Sequence, residues 1–300
     1  MSFLDDPAAP ALDPEAPAGT TVRPMVTADI SAGVRLCRLS RWDQVARDWE
    51  RFLNASPGGV SVASRDGQTI GTVATIRYGA RFAWIGMVLV DPDARGRGLG
   101  TVLLGHALDL LQDVPIIRLD ATPAGHQIYA KRGFTEEYRL RRMQAVAPAR
   151  PVPVCLADVR PMTADDLVRV LAWDEQIFGA PRTEMLRWMQ DGAPHYAWIA
   201  SREGAIVGYM FGRHGFRFEH LGPIVAADVA VATHLVTACL SHHPGREFAI
   251  DAPTLSPAWM HALAEMGFRE QRPFIRMQRG GQPPFGEPDQ QFAVLGPEFG

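Results

Sequence analysis

The sequence contains little cysteine and almost no lysine. Its three cysteines, Cys37, Cys155 and Cys239, are far apart and form no CxxC pair. This spacing argues against both a disulfide framework and a cysteine-based zinc site. Lys131 is the one lysine in a chain that is otherwise rich in arginine, which we interpret as compositional bias and not as function.

Long apolar runs and a strong charge of either sign are also missing. No apolar run reaches the roughly 18 residues that a membrane-spanning helix needs, and the N-terminus has no basic-then-apolar signal segment. The net charge of −3 offers no overall attraction to nucleic acid or to an anionic membrane. We therefore expect a cytoplasmic globular protein without nucleic-acid or membrane partners. Its 300 residues are enough for two domains.

Composition divides the chain into segments. Residues 1–19 are rich in proline, alanine and acidic residues and are predicted to be disordered. Residues 146–155, with their closely spaced prolines, are predicted to be an interdomain linker. Residues 279–300 begin as a Gly/Pro linker but end in FAVLGPEFG, which is too apolar for a solvated tail, so we expect that end to dock against the body.

The two sides of the linker repeat each other. VRPMVTADI at residues 22–30 matches VRPMTADDL at residues 159–167, and each half closes on an arginine–methionine pair, Arg142-Met143 and Arg276-Met277. Between these landmarks, LDATPAGHQIYAKRGF corresponds to IDAPTLSPAWMHALAEMGF. The repetition predicts a duplicated unit of about 120 residues, with domains at 20–145 and 156–278.

The first copy has the pattern β-α-α-β-β-β-α-β-α-β. Residues 42–53 and 99–111 are predicted helices. The strand at residues 82–90 is too apolar for an edge and should be central. This order predicts an α/β fold with a mixed sheet and helices on both faces.

Three alternate glycines, Gly96, Gly98 and Gly100, lie where the helix at 99–111 must start. A glycine-rich turn before a helix N-terminus aims backbone N–H groups at one point, and the flanking Arg95 and Arg97 add positive charge. Such a turn binds a pyrophosphate. Neither the Rossmann spacing nor a Gly-Lys-Ser/Thr loop is present. A surface turn with incidental glycines is the alternative.

These residues carry a family resemblance. Arg95-Gly96-Arg97-Gly98-Leu99-Gly100 resembles the Arg/Gln-x-x-Gly-x-Gly/Ala signature of the GNAT N-acetyltransferase superfamily, and the downstream IYAKRGF fits it as well. The duplicated layout resembles a tandem, YitH-like subgroup in which the second GNAT fold has degenerated. The resemblance implies acetyl-CoA as co-substrate, no metal, and coenzyme binding by Met87, Val88, Leu89, Val90, Arg95, Gly96, Arg97, Gly98, Leu99, Gly100 and Thr101.

The second copy lacks the glycine turn. Where the first half reads VDPDARGRGLG, the second reads VAADVAVATHL, without the glycines or the arginines. We therefore expect one coenzyme site, in the first half, with the second half shaping the acceptor pocket.

Catalysis requires an acid for the departing thiolate and a base for the attacking amine. Tyr129 stands where the superfamily carries its tyrosine acid; a packing role is the alternative. For the base, the central strand offers no ionisable residue, which leaves Asp43, Glu50, Asp120 or His220. Each of these four is also compatible with a solvated or structural role.

The acceptor pocket has its own candidates. Trp42 and Trp49 share one face of a predicted helix and are candidates to line the pocket, with core packing as the alternative. Arg182 is a candidate to hold an acceptor carboxylate, or else an ordinary residue at a helix start. The histidines His234, His242 and His243 have no accompanying carboxylate at metal-ligand spacing, so we expect no metal site.

Together these features predict an N-acetyltransferase. It would transfer acetyl from acetyl-CoA directly to a primary amine of a small-molecule, amino-acid-like acceptor, with an amide of the central strand stabilising the oxyanion. Alternatives are another acyl-CoA, a protein acceptor, or a non-catalytic acyl-CoA-binding sensor. We expect a monomer or a homodimer.

Overall fold

One continuous mixed sheet runs through the computed structural model, which describes residues 16–149, 159–281 and 286–300. The predicted disordered segment 1–19 falls mostly outside the described residues, and so does most of the predicted linker 146–155. Within the described ranges the sheet has 13 strands.

The elements of the first half follow the predicted order. They are β1 (Thr20–Pro24), α1 (Ile30–Leu39), α2 (Ala46–Ala55), β2 (Val60–Arg65), β3 (Gln68–Tyr78), β4 (Phe82–Val90), α3 (Leu99–Leu110), β5 (Ile117–Ala121), α4 (Pro123–Ala130) and β6 (Thr135–Val146). The second helix begins later than predicted because Val45 is extended and its N–H donates to Asp48, which caps the helix at 2.7 Å. Trp42 therefore lies in the loop between α1 and α2.

The second half repeats this order. Its elements are β7 (Val159–Pro161), α5 (Ala164–Phe178), α6 (Thr183–Gly192), β8 (Trp198–Arg202), β9 (Ala205–Arg213), β10 (Glu219–Ala226), α7 (Val229–His242), β11 (Glu247–Pro253), α8 (Pro257–Glu265) and β12 (Arg269–Arg279), followed by β13 (Gln291–Ala293). The repeated VRP segments make the same ion pair in each copy, Arg23 with Asp29 at 2.7 Å and Arg160 with Asp166 at 2.6 Å. The duplication is therefore present in the structure as well as in the sequence.

The two halves exchange their last strands. The sheet order is β1-β2-β3-β4-β5-β12-β6-β11-β10-β9-β8-β7. Strand β12 of the second half pairs with β5 of the first, and β6 of the first half lies between β12 and β11. The sequence repeat has its boundary at residues 146–155. The sheet has no matching boundary, because strands of the two halves pair with each other.

Opposite faces of the sheet bury different helices. On β4, Trp84 packs in a cluster that includes α1 and α2 residues such as Leu36 and Phe52. Its neighbour Ile85 packs on the other face with α3 residues such as Leu103. Because strand side chains alternate, each position of β4 is assigned to one of these two faces.

The C-terminal segment is part of the interior. Residues 291–300 are all buried. The Phe299 ring stacks on Phe52 with centroids 4.5 Å apart, and the indole of Trp84 donates to the Pro297 carbonyl at 3.0 Å. A glycine is required at position 86, because a Cβ there would lie 2.5 Å from the Glu298 carbonyl oxygen.

Candidate active site

A cleft opens where β4 separates from β5. The two parallel strands pair only through Ala83 and Trp84, after which β4 diverges. Met87 has a φ of 54°, in the left-handed region that non-glycine residues rarely occupy, and its carbonyl accepts a hydrogen bond from Thr72 at 2.8 Å. The pairing with β3 shifts register at this point. The bulge turns residues 87–90 so that one backbone edge faces the gap.

The glycine turn closes one end of this cleft. Gly96 and Gly98 have φ of 74° and 80°, values that favour glycine. Gly98 is the N-cap of α3 and has no side chain to cap it, which leaves the first N–H groups of the helix for an anion. The turn is anchored from below by Asp91, which accepts from Arg35 at 2.7 Å, and this pair lowers the pKa of Asp91.

The cleft has a volume of about 710 Å³. Most residues of the predicted coenzyme site line it, namely Met87, Val88, Leu89, Val90, Arg95, Gly96, Gly98, Leu99, Gly100 and Thr101. Arg97 is exposed and lies outside the lining. Arg95 donates to the Val90 carbonyl at 3.0 Å and to the Ser40 hydroxyl at 3.2 Å, so its guanidinium stands at the mouth.

The corresponding gap of the second half is filled by the chain itself. Strand β10 pairs with β11 only through Glu219 and His220 and then diverges, as β4 does from β5. Strand β13 pairs with β10 in the gap, and the Val294 N–H donates to the Asp251 carbonyl on β11 at 3.0 Å. A strand of protein thus occupies in the second half the place that the cleft leaves open in the first.

Tyr129 on α4 lines the cleft. Its ring packs against Phe134 with centroids 6.0 Å apart, and a Cβ at Gly125 would lie 2.8 Å from it. Burial raises the pKa of Tyr129 to about 12. The phenol therefore keeps its proton at neutral pH and is available as a hydrogen-bond donor.

The rest of the cleft lining mixes residues from both halves. Trp42 and Ser40 come from the α1–α2 loop, while Arg272 and Phe274 come from the exchanged strand β12. Pro297 and Glu298 come from the C-terminal segment. Two carboxylates line the cleft, Asp120 and Glu298. Both Asp120 oxygens accept from Arg276 at 2.8 Å, so this carboxylate is fully engaged.

Glu298 belongs to a buried cluster with excess negative charge. Arg213 donates to Asp48 at 2.9 Å and to Oε1 of Glu298, and all three side chains are at most 5% exposed. Oε2 of Glu298 has no hydrogen-bond partner among the described residues. Burial, together with the charge of Glu298, raises the pKa of Asp48 to about 6 although Arg213 opposes the shift. One guanidinium cannot balance two carboxylates.

The acceptor candidate Arg182 and the base candidates Asp43 and His220 are buried and do not line the cleft, which corrects those expectations. Arg182 donates to both oxygens of Asp174 at 2.8 Å and to the Gly300 carbonyl at 3.3 Å, so its guanidinium is not available to an acceptor carboxylate. Asp43 accepts the Arg217 N–H at 3.0 Å and supports a loop. His220 is 2% exposed, and burial lowers its pKa well below the ordinary value, which keeps it neutral.

Two further candidates are also corrected. Trp49 is completely buried in the core between α1 and α2, so it packs and does not line the pocket. Glu50 is exposed and does not line the cleft.

Sequence reasoning missed Arg272, Phe274 and Glu298. One signal for Glu298 was available, because an acidic residue stands alone within the apolar FAVLGPEFG segment that was expected to dock. Among the described residues no group of three or more histidine, cysteine or acidic side chains could hold a metal. In the same part of the chain no helix combines the length and apolarity needed to cross a membrane.

Comparisons with known proteins agree with this architecture. A model of the acetyltransferase (GNAT) family matches residues 33–134, and a model of an acetyltransferase (GNAT) domain matches residues 170–293. The chain is 32% identical over 265 residues to the holothin acyltransferase of Pseudoalteromonas sp. (strain SANK 73390), covering 87% of each chain.

A second relative and a solved structure share the whole layout. The chain is 23% identical over 241 residues to YitH of Bacillus subtilis (strain 168), an uncharacterized N-acetyltransferase, covering 80% of this chain and 85% of YitH. The structure of a tandem GNAT protein from the clavulanic acid biosynthesis pathway has the same fold, with a TM-score of 0.66 at 17% identity over 88% of this chain and 99% of that one. The chain therefore belongs to the GNAT family and is an acyltransferase built from two tandem GNAT domains.

Proposed function

We propose that this enzyme transfers the acetyl group of acetyl-CoA to a primary amine of a small-molecule acceptor, at a single site in the first half. The observation that carries the proposal is the contrast between the two gaps. The gap at β4 is open beside an uncapped glycine turn, whereas the gap at β10 is filled by β13.

The cleft residues suit the coenzyme part by part. The pantetheine arm would hydrogen-bond to residues 87–90 as an added strand, just as β13 adds to β10. The pyrophosphate would lie on the N–H groups at the start of α3, with Arg95 beside it. The name of the holothin acyltransferase, a relative at 32% identity, also supports acyl transfer as the activity.

Two side chains would act as the hydrogen-bond donor to the thiolate and as the proton acceptor for the amine. Tyr129 would donate a hydrogen bond to the departing thiolate, since its raised pKa keeps the phenol protonated. Glu298 would accept the proton of the amine through one water, because this residue lines the cleft and its buried Oε2 has no hydrogen-bond partner among the described residues. Asp120 is excluded from that role by its two bonds to Arg276.

The test is thiol release from acetyl-CoA by the purified full chain against a panel of small amines. The acetylated products would be identified by mass spectrometry. Acetylated amine formed in step with free thiol supports the proposal. Binding of acetyl-CoA without acetylation of any amine would contradict it and would favour a non-catalytic sensor.

A further inference from the structure

Arg272 lines the cleft and has no carboxylate partner among the described residues. Its Nη2 donates to the Arg41 carbonyl at 2.9 Å and its Nε to the Gln271 side chain at 3.1 Å, both neutral acceptors. Within the described residues no acidic oxygen lies within 4.0 Å of its guanidinium. The contrast with the buried arginines of the sheet is sharp, because Arg142 and Arg276 each hold both oxygens of an aspartate.

The two acidic residues that attract Arg272 are already engaged. Asp251 is bound through both oxygens by Arg142, and Asp43 is bound by Arg217 at 3.3 Å. Three guanidinium groups therefore share two carboxylates. Burial, and next the charge of Arg142, lower the pKa of Arg272 to about 10, as expected where positive charge is in excess.

The position of Arg272 favours the acceptor over the phosphates of the coenzyme. Arg272, Phe274 and Arg276 alternate along β12 and share one face, and the guanidinium of Arg276 lies 4.6 Å from the Trp84 ring. Trp84 faces the α1–α2 side of the sheet. The glycine turn instead heads α3, which packs on the other face.

We propose that Arg272 binds a carboxylate of the acceptor, so that the natural acceptors are amines that also carry a carboxylate. The inference rests on the proposed function and narrows its substrate class. A guanidinium presents paired donors that match a carboxylate, and Phe274 and Trp42 would pack against the carbon skeleton between the acid and the amine. The acid would be held from β12 while the amine points towards β4.

Matched pairs of acceptors test this class. The full chain is assayed with acetyl-CoA and the proteinogenic amino acids and γ-aminobutyrate, each beside its carboxamide. We expect kcat/KM for the acids to exceed that for the amides by at least about tenfold, as for a charge-assisted hydrogen bond. Equal use of acids and amides would overturn the inference while leaving acetyl transfer to amines intact.

Variants of Arg272 test whether this residue causes the preference for acids over amides. Arg272→Gln should raise KM for the acids at least about tenfold and abolish the preference over amides, whereas Arg272→Lys should restore part of it. Affinity for acetyl-CoA should not change. Arg269→Gln, at an exposed position of the same strand, is the matched control. Retained preference in Arg272→Gln would overturn the inference.

A carboxylated acyl chain is the other source of an anion. To test this source, succinyl-CoA is assayed with the carboxamide acceptors. We expect Arg272→Gln to leave kcat/KM in this assay unchanged. A loss confined to succinyl-CoA would overturn the assignment to the acceptor. Acetyl-CoA binding without acetylation of any amine would instead refute the proposed function itself, and this inference with it.

Discussion

Arg142, near the end of the first half, donates two hydrogen bonds of 2.8 Å to Asp251 in the second half. Arg276 of the second half binds Asp120 of the first in the same way and at the same distance. The repeated arginine–methionine pairs are therefore not contacts within each copy. Their arginines form ion pairs between each exchanged strand and the other half.

Removing one partner of this buried pair should be costly. Arg142→Met leaves the Asp251 carboxylate buried without its counter-charge, and we expect a loss of about 3–5 kcal/mol in the free energy of unfolding. Adding Asp251→Leu should recover most of that loss, because no unpaired charge remains. Denaturant unfolding measures both, with the exposed Arg139→Met as control. A double variant as unstable as the single one would contradict the explanation.

The glycine turn can be tested at Gly100 without straining the backbone. A Cβ there would lie 3.8 Å from Val90, an ordinary contact, so Gly100→Val should fold and place its side chain in the anion site. We expect the dissociation constant for coenzyme A to rise at least about tenfold, or 1.4 kcal/mol, by calorimetry. Ala230→Val, at the second position of the corresponding helix α7, should change nothing. Unchanged affinity for coenzyme A in Gly100→Val would contradict the assignment of the glycine turn as the anion site.

Tyr129→Phe removes a hydroxyl and keeps the ring that packs on Phe134. Loss of the donor to the thiolate should lower kcat by at least about tenfold while affinity for acetyl-CoA stays constant. Steady-state kinetics and calorimetry together separate the two. Full turnover in the variant would make the tyrosine a packing residue.

Glu298→Gln keeps the size of the side chain and removes its charge. If Glu298 accepts the proton of the amine, kcat/KM should fall by roughly 10²-fold or more, and the rise of the rate with pH should change shape. The exposed Glu287→Gln, also in the C-terminal segment, is the control. An unaltered pH profile would assign the proton to water instead.

Asp48 should make the stability depend on pH. Its folded pKa of about 6 lies above its ordinary value of 3.8, so the folded state binds the proton more tightly than the unfolded chain. The stabilisation that results is complete below the ordinary pKa and is lost as pH rises through about 6. The unfolding free energy of the native chain should therefore fall relative to that of Asp48→Asn, which has no proton to lose at this position, as pH rises over that range. A native chain that gains stability relative to the variant as pH rises would contradict the raised pKa.

Local patterns predicted most of the fold and the residues that line the cleft around the glycine turn. The glycine turn, the central strand and the duplication depend on neighbouring residues, and a sequence shows neighbours directly. The strand exchange cannot be predicted from neighbouring residues, because β6 and β12 carry the same pattern and either strand could complete either half. Arg182 illustrates the same limit at one residue, since its burial depends on Asp174 and on the carbonyl of Gly300, 118 positions away.

The exchanged strands also have an evolutionary consequence. Under the proposed function the second half binds no coenzyme, and such a half would ordinarily be dispensable. Here it contributes β12, which pairs with β5 of the first half, together with C-terminal residues that line the cleft. Selection on the proposed activity can therefore erase the glycine turn of the second copy but must retain its fold, because a severed first half would have to re-pair β5 with its own β6.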